Sequence, residues 1–403
     1  MKTLVDYSLF NNSKLLKSAF TFLLFVLIVG FGASILGINT FPTLLIFYFF
    51  GINLIASLNN SKPYLTPLLL ILSLLVLMGA TNNDNGVNGD YYAYNDLYSH
   101  FKTGGTIENI TGYKTDLGYM VLMDFFASSN IPYNIFITFV AIIGLLLIRS
   151  TVMKLTNHYS LILVCYSLFP FFYDVYQIRY FLAYSIIVYA LQYIIFFENK
   201  SYLKYSILVI FSALFHSSTI LFLLYLLITL KIKSILKFLF AISIFVSLGS
   251  LLFSINAVNY IVSIVQISKL ETYTSAALNY KLNPLTSLSI ILFISFFIWI
   301  TNKINKNDNT YTTNRILWMN LLNILLLPLL FVSLDFERFI RPILIINYAI
   351  ISVYLLKQPL KYRCVLFLLL ILVVFFRQYM MFGFSQAVFE NNNILQLLNT
   401  FFE

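Results

Sequence analysis

Apolar runs of about 20 residues recur from Ala19 into the last third of the chain, separated by short polar connections, and they dictate the fold class. Hydrocarbon offers no water to backbone N–H and C=O groups, so a run of that length crosses the roughly 30 Å bilayer core as a helix. Of the 403 residues, 60% are hydrophobic and 10% charged, against about half and a quarter in soluble domains. No stretch has the composition of a separate soluble domain. The expectation is one all-α, polytopic membrane domain over 1–403, with about 11–14 membrane or half-membrane helices. Spans are expected near 18–36, 41–58, 65–80, 133–150, 160–172, 180–197, 205–215 with 219–230, 234–254, 284–301, 315–333, 342–356 and 363–380. Pro170, Pro284, Pro328 and Pro342 fall at span ends or inside spans, where they start or break helices. The first run follows Lys14 and Lys17 and shares only that positive flank with a signal peptide, so it reads as an uncleaved first helix. Cys165 and Cys364 lie far apart in apolar runs and suggest neither a disulfide framework nor a metal site.

Lys and Arg placement gives the orientation, because cytoplasmic connections collect basic residues. A cytoplasmic N-terminus puts 17 of the 25 basic residues inside with three of the 15 acids (Asp6, Glu198 and Asp308). The inside then carries +14 and the outside, with eight basic and twelve acidic residues, −4. The net +10 is thereby explained as topology, and no nucleic-acid partner is expected.

The same rule shapes "SALFHSSTILFLL", residues 212–224, where His216 is the one group between Lys204 and Lys231 that can be charged near neutral pH. A straight helix from Tyr205 to Leu230 would separate Lys200 and Lys204 from Lys231, Lys233 and Lys237 across the membrane. A hairpin turning near Phe215–Ser218 keeps all five inside. Each arm is then roughly 17 Å long, and His216 sits at a tip sunk below the outer surface, at the bottom of an outward-facing cavity.

Two outer loops are large, about 81–118 and 255–283. The first holds "NGDYYAYNDLYSHF", and residues 81–119 contain six of the 29 tyrosines (Tyr91, Tyr92, Tyr94, Tyr98, Tyr113 and Tyr119) beside Asp84, Asp90, Asp96 and Asp116. Ring faces and carboxylates together suit sugars; an interfacial aromatic belt is the alternative. Tyr91, Tyr92, Tyr94, Tyr119 and Asp90 are the sugar-site candidates.

Charges at membrane depth are costly and are usually paired or functional. Arg179 opens a helix after a short outer turn carrying Asp174, and "DFERFIRP" puts Asp335, Glu337, Arg338 and Arg341 at the outer end of a span. Arg179 can pair with Asp174, and Arg338 and Arg341 with Asp335 and Glu337, or they can anchor helix ends by snorkelling. His216 can be a neutral imidazole bonded to a carbonyl, Ser217 or Ser218. Against these readings, the charge count brings three arginines and a histidine to one face without using their chemistry. Arginine forks match phosphate oxygens and can hold a diphosphate leaving group, and histidine can take a proton from an attacking hydroxyl. That combination describes group transfer off a lipid diphosphate. No cofactor is expected and no metal is required, since acids and histidines show no ligand spacing; Asp90 with Asp335 or Glu337 in space stays open.

The ordered motifs resemble those of EpsG-like and Wzy-type polymerases of bacterial surface polysaccharides, including O-antigen polymerases. An early Gly/Thr-Asp-Tyr element is matched by "GDYYAYNDLY" from Gly89, and a Glu-Pro-Gly-Tyr element by Asp116, Leu117, Gly118 and Tyr119. An Ile-Arg-Gln-x-x-Ala helix start is matched by "IRYFLA", with Arg179 and Ala183 kept and Tyr180 in place of Gln. A Leu-Phe-His-x-Ser element is matched by "LFHSS" with His216 and Ser218, and a late Arg followed by Tyr by Arg338 or Arg341 with Tyr348.

This resemblance implies a fold similar to the multi-span lipid-linked sugar transferases (GT-C-like) and a place in the bacterial inner membrane with the active site on the periplasmic side. The implied reaction moves a growing glycan from undecaprenyl diphosphate to a hydroxyl of an undecaprenyl-diphosphate-linked repeat unit. Arg179, Arg338 and Arg341 are the expected diphosphate clamps, His216 the expected base and Asp90 the second candidate for that role. The expected partners are the two lipid-linked oligosaccharides and membrane lipid, with a chain-length regulator left open. A flippase for the same lipid-linked glycan is the chief rival and a glycan acyltransferase the second. The half-length arms and large outer loop speak against the flippase, and the lack of an acyl-donor motif against the acyltransferase.

Overall fold

The computed structural model describes residues 53, 71, 89–107, 116–196, 201–229, 284–330 and 334–382, with most of 237–247. The span expected at 18–36, those at 41–58 and 65–80 apart from residues 53 and 71, most of 234–254 and the outer connection 255–283 lie outside the described residues. Regular structure among the described residues is helical, without a strand.

Ile178–Ile195 is the central helix. It packs against Tyr133–Leu155, Tyr202–Ala213, Tyr311–Leu322 and Arg341–Leu356, and 83% of it is buried. Small residues set its distances to its neighbours. A Cβ at Gly144 would stand 2.3 Å from the Phe181 ring, so Tyr133–Leu155 and the central helix meet where there is no side chain. Polar side chains tie the helices through backbone carbonyls, as in Thr151 to Val188 O (3.1 Å) and Ser212 to Ala183 O (2.9 Å).

Among the described residues, three helices are long and apolar enough to cross a membrane: Tyr133–Leu155, Ile178–Ile195 and Leu288–Asp308. Apolar side chains are also left on outer faces, as with Leu203, Ile207, Ile210, Phe211 and Leu214 at helical spacing, and Val365, Leu368, Leu372 and Phe376 on Leu360–Phe382. Such stripes face lipid; this is a membrane protein.

Prolines divide two expected spans. Residues 160–172 form Tyr159–Leu168 and the short helix Phe171–Tyr176 on either side of Pro170. Residues 315–333 form Tyr311–Leu322, a 3-10 turn Asn323–Leu326 and Leu327–Leu330. Pro328 cannot donate to the carbonyl four residues back, and that oxygen, Ile324 O, accepts instead from Ser243 at 2.5 Å.

The hairpin is present. Tyr202–Ala213 is followed by a 3-10 helix, Ser217–Thr229, and the Tyr205 hydroxyl donates across to Phe222 O at 2.6 Å. A single straight helix would hold those residues about 25 Å apart.

The segment expected as an outer loop at 81–118 holds helical structure. Gly89–Lys102 is a helix that buries Tyr94, Leu97, Tyr98 and Phe101 at i, i+3, i+4 and i+7, a helical stripe within what had read as a ring-and-acid surface. Leu117–Ser128 is a second, unexpected helix, starting inside the segment that the loop was to occupy.

Candidate functional site

The turn of the hairpin is built by its own small polar residues. His216 N–H donates to Ser212 O (3.1 Å), and the Thr219 N–H and hydroxyl both donate to His216 O (3.0 and 2.8 Å). Ser212 Oγ, 2.8 Å from Thr219 Oγ1, anchors the turn on Ala183 of the central helix. The histidine ring is thereby placed edge-on to Tyr180, centroids 5.0 Å apart, and is 8% exposed.

Arg338 reaches the same ring from the 3-10 helix Leu334–Phe339, its NH1 3.3 Å from His216 Nε2. A guanidinium can only donate, so Nε2 presents its lone pair and the imidazole proton sits on Nδ1, which donates to Ser218 Oγ at 2.7 Å. Of the partners expected for a neutral imidazole, Ser218 is therefore in place, with an arginine on the other nitrogen.

Tyr180, the departure from the family pattern, is the hub. Its hydroxyl donates to Arg338 O at 2.5 Å, and its ring lies 5.7 Å from the Arg338 guanidinium carbon and 5.4 Å from that of Arg341. Arg341 lies deeper, at the start of Arg341–Leu356, 2% exposed, with Tyr173 on another side at 4.3 Å. Its NH2 donates to Gln177 Oε1 at 2.9 Å and its NH1 lies 3.5 Å from Asp174 Oδ1. Asp174 in turn accepts from the hydroxyls of Tyr166 and Tyr184. Asp174 lies past the end of the span expected at 160–172, in the outer turn before the one expected at 180–197. Burial pushes its carboxyl up to about 7, while Arg341 and the two phenols pull it down.

Arg179 does not meet Asp174. Its NH1 lies 3.1 Å from Asp116 Oδ2, with both side chains part-exposed, and its guanidinium lies 5.4 Å from the Tyr94 ring. Two residues on, Gly118 N–H donates to Leu214 O at 2.8 Å, which docks the start of Leu117–Ser128 onto the His216 turn. Tyr119 is fully buried, its ring 5.5 Å from Tyr94 and 5.7 Å from Phe136. Tyr94 and Tyr119 thus pack behind Arg179, while Tyr92 is half-buried. Asp90 and Tyr91 lie on Gly89–Lys102, and their side chains, like that of Asp335, fall outside the described residues.

Glu337 does not pair locally either. Arg377 of Leu360–Phe382 takes both of its oxygens, at 2.6 and 2.7 Å, and donates to Ser289 at 2.7 Å. The sequence reading missed Arg377, although a lone arginine in "VVFFRQY" was the signal.

A family model matches residues 66–397, most of the chain and the whole of this constellation. The chain belongs to the EpsG family. These are Wzy-like, polymerase-type membrane proteins, and the family is associated with glycosyltransferase-like polymerases. The chain is accordingly a polysaccharide-polymerase-like membrane protein. Neither the curated proteins nor the solved structures contain a significant match. Within the EpsG-family match, His216, Arg338 and Arg341 come from elements widely separated in sequence and converge around Tyr180, while Asp116 meets Arg179, the residue before Tyr180 in the central helix.

Proposed function

We propose that this EpsG-family protein polymerises a bacterial surface polysaccharide at the periplasmic face of the inner membrane, within an architecture like that of the multi-span lipid-linked transferases. The observation that carries the reading is the contact of Arg338 with His216 Nε2, which joins an anion-binding group to a proton acceptor.

The donor is the growing glycan on undecaprenyl diphosphate, and the acceptor is a hydroxyl of a lipid-linked repeat unit. Arg338 binds the donor diphosphate, turning from His216 as it does so, and the exposed Nε2 lone pair accepts the proton of the attacking hydroxyl. The hydroxyl oxygen bonds to the anomeric carbon as the bond from that carbon to the diphosphate oxygen breaks. The charge that develops on the leaving diphosphate is met by Arg338 and by Arg179, which exchanges Asp116 for phosphate oxygens. Arg341 adds positive potential from behind Tyr180. Ser218 holds the imidazole in the tautomer that leaves Nε2 basic. Asp90, Tyr91 and Tyr92, carried by Gly89–Lys102, are the residues assigned to sugar on this reading, and Asp90 stands as the second candidate base.

Purified protein supplied with lipid-linked repeat units tests this. Wild type lengthens the glycan, and His216→Ala and Arg338→Ala each lose at least about a hundredfold in rate. Movement of substrate between leaflets without new glycosidic bonds, or wild-type products from His216→Ala, would overturn the assignment.

A further inference from the structure

Residues 335–341 hold two acids and two arginines within one short segment, the arrangement in which local pairing is easiest. Glu337 instead reaches Arg377, about 40 residues on, and both side chains are at most 1% exposed. The pair is bidentate, and the remaining arm of the guanidinium holds Ser289 of Pro284–Asp308. A buried ion pair is a poor way to gain stability, since apolar side chains of the same volume do as well or better. What a fork-on-carboxylate pair does supply is direction, because it fixes both the position and the rotation of the carboxylate.

We propose that Arg377 is a positioning residue that keeps the Glu337 carboxylate turned away from Arg338 and Arg341, so that Arg338 acts on an anionic substrate. This rests on the polymerase reading above. Glu337 and Arg338 are neighbours in a 3-10 helix, where successive side chains point about 120° apart. Locking Glu337 towards Leu360–Phe382 therefore also sets the direction in which Arg338 leaves the helix. Release of Glu337 would have two consequences: the helix loses its rotational stop, and a carboxylate becomes available to the neighbouring guanidinium groups.

The second consequence separates this role from simple structural support. Arg377→Gln leaves a carboxylate to compete for the arginines, whereas Glu337→Gln/Arg377→Gln removes the pair and the competitor together. In detergent-solubilised protein, Arg377→Gln should raise KM for the lipid-linked donor and weaken undecaprenyl diphosphate binding by about tenfold or more. The double variant should recover most of both, with kcat changed less than KM. If Arg377→Gln does not accumulate, Arg377→Lys compared with Glu337→Gln/Arg377→Lys makes the same contrast. A double variant as impaired as the single, or an Arg377→Gln protein that binds and polymerises like wild type, overturns the role given to Arg377 alone. Wild-type protein that neither binds the diphosphate nor lengthens glycan overturns the polymerase reading and this inference with it.

Discussion

Gly118 offers the sharpest test of how the site is assembled, because a single methyl group there strikes backbone. A Cβ at this position would lie 2.8 Å from Leu214 O and 2.9 Å from Leu214 Cβ, while the Gly118 N–H makes its 2.8 Å bond to that same oxygen. Ordinary non-bonded separation requires the two segments to part by about half an ångström, which lengthens the hydrogen bond and moves Asp116 relative to Arg179. Overpacking of this kind costs about 1–3 kcal/mol, and the weakened bond adds up to about 1 kcal/mol. If most of that falls on the geometry of the His216 turn, Gly118→Ala slows glycan elongation about 10- to 100-fold. Initial rates on lipid-linked repeat units, normalised to folded protein, measure it. Gly144→Ala is the control: its methyl group would lie 2.3 Å from Phe181 between two packed helices, and its nearest neighbours are all atoms of that ring, not the backbone of the His216 turn. It should lower the thermal midpoint and yield, with the rate per folded molecule within about twofold. A Gly118→Ala protein with the wild-type rate would refute the docking of Leu117–Ser128 onto the histidine turn as a requirement for activity.

Two further outcomes follow from side-chain partners. Ser218→Ala removes the 2.7 Å partner of His216 Nδ1 and should lower kcat about fivefold at unchanged KM, the effect of about 1 kcal/mol; an unchanged kcat in steady-state kinetics would remove Ser218 from the mechanism. Asp174 keeps its proton to about pH 7 when folded but gives it up near 3.8 when unfolded, so its contribution to stability is present at low pH and is lost as pH rises towards 7. Thermal midpoints between pH 5 and 8 should show this component in wild type and lack it in Asp174→Asn, and equal pH slopes would contradict it.

The membrane class, several span positions and the hairpin were legible because they follow from hydropathy and charge asymmetry, which act on composition over long windows. The hairpin is the clearest case: five lysines had to lie on one side, and the Tyr205–Phe222 bond is where that requirement leads. The helix Gly89–Lys102 was missed because its buried face is made of tyrosines, which read equally well as an exposed binding surface. The ion pairs were missed for a different reason. Sequence proximity suggested Arg179 with Asp174 and Glu337 with its neighbouring arginines, but side-chain direction on a helix decides contact. Arg179 points to Asp116, 63 residues earlier, and Glu337 to Arg377. The role of Tyr180 had no signal apart from its being the residue that departs from the family pattern.

These long-range pairs also rank the arginines by what a substrate can do to them. Asp116–Arg179 ties the start of Leu117–Ser128 to the central helix, Asp174–Arg341 ties Phe171–Tyr176 to Arg341–Leu356, and Glu337–Arg377 ties Leu334–Phe339 to Leu360–Phe382. The second and third pairs are at most 2% exposed, and removing one partner of such a pair costs about 3–5 kcal/mol. Asp116 and Arg179 are 18% and 16% exposed, closer to the regime in which a pair contributes about 0–1 kcal/mol and can be exchanged. An incoming diphosphate can therefore take Arg179 from Asp116 with little loss, since two phosphate groups replace one carboxylate. Taking Arg341 from Asp174 would strand a buried charge. On the proposed polymerase reading, the half-buried Arg338 and the part-exposed Arg179 are accordingly the arginines expected to touch substrate, while Arg341 and Arg377 hold the elements that present them. On this division, loss of Arg179 weakens donor binding and leaves the fold intact, whereas loss of Arg377 disturbs both.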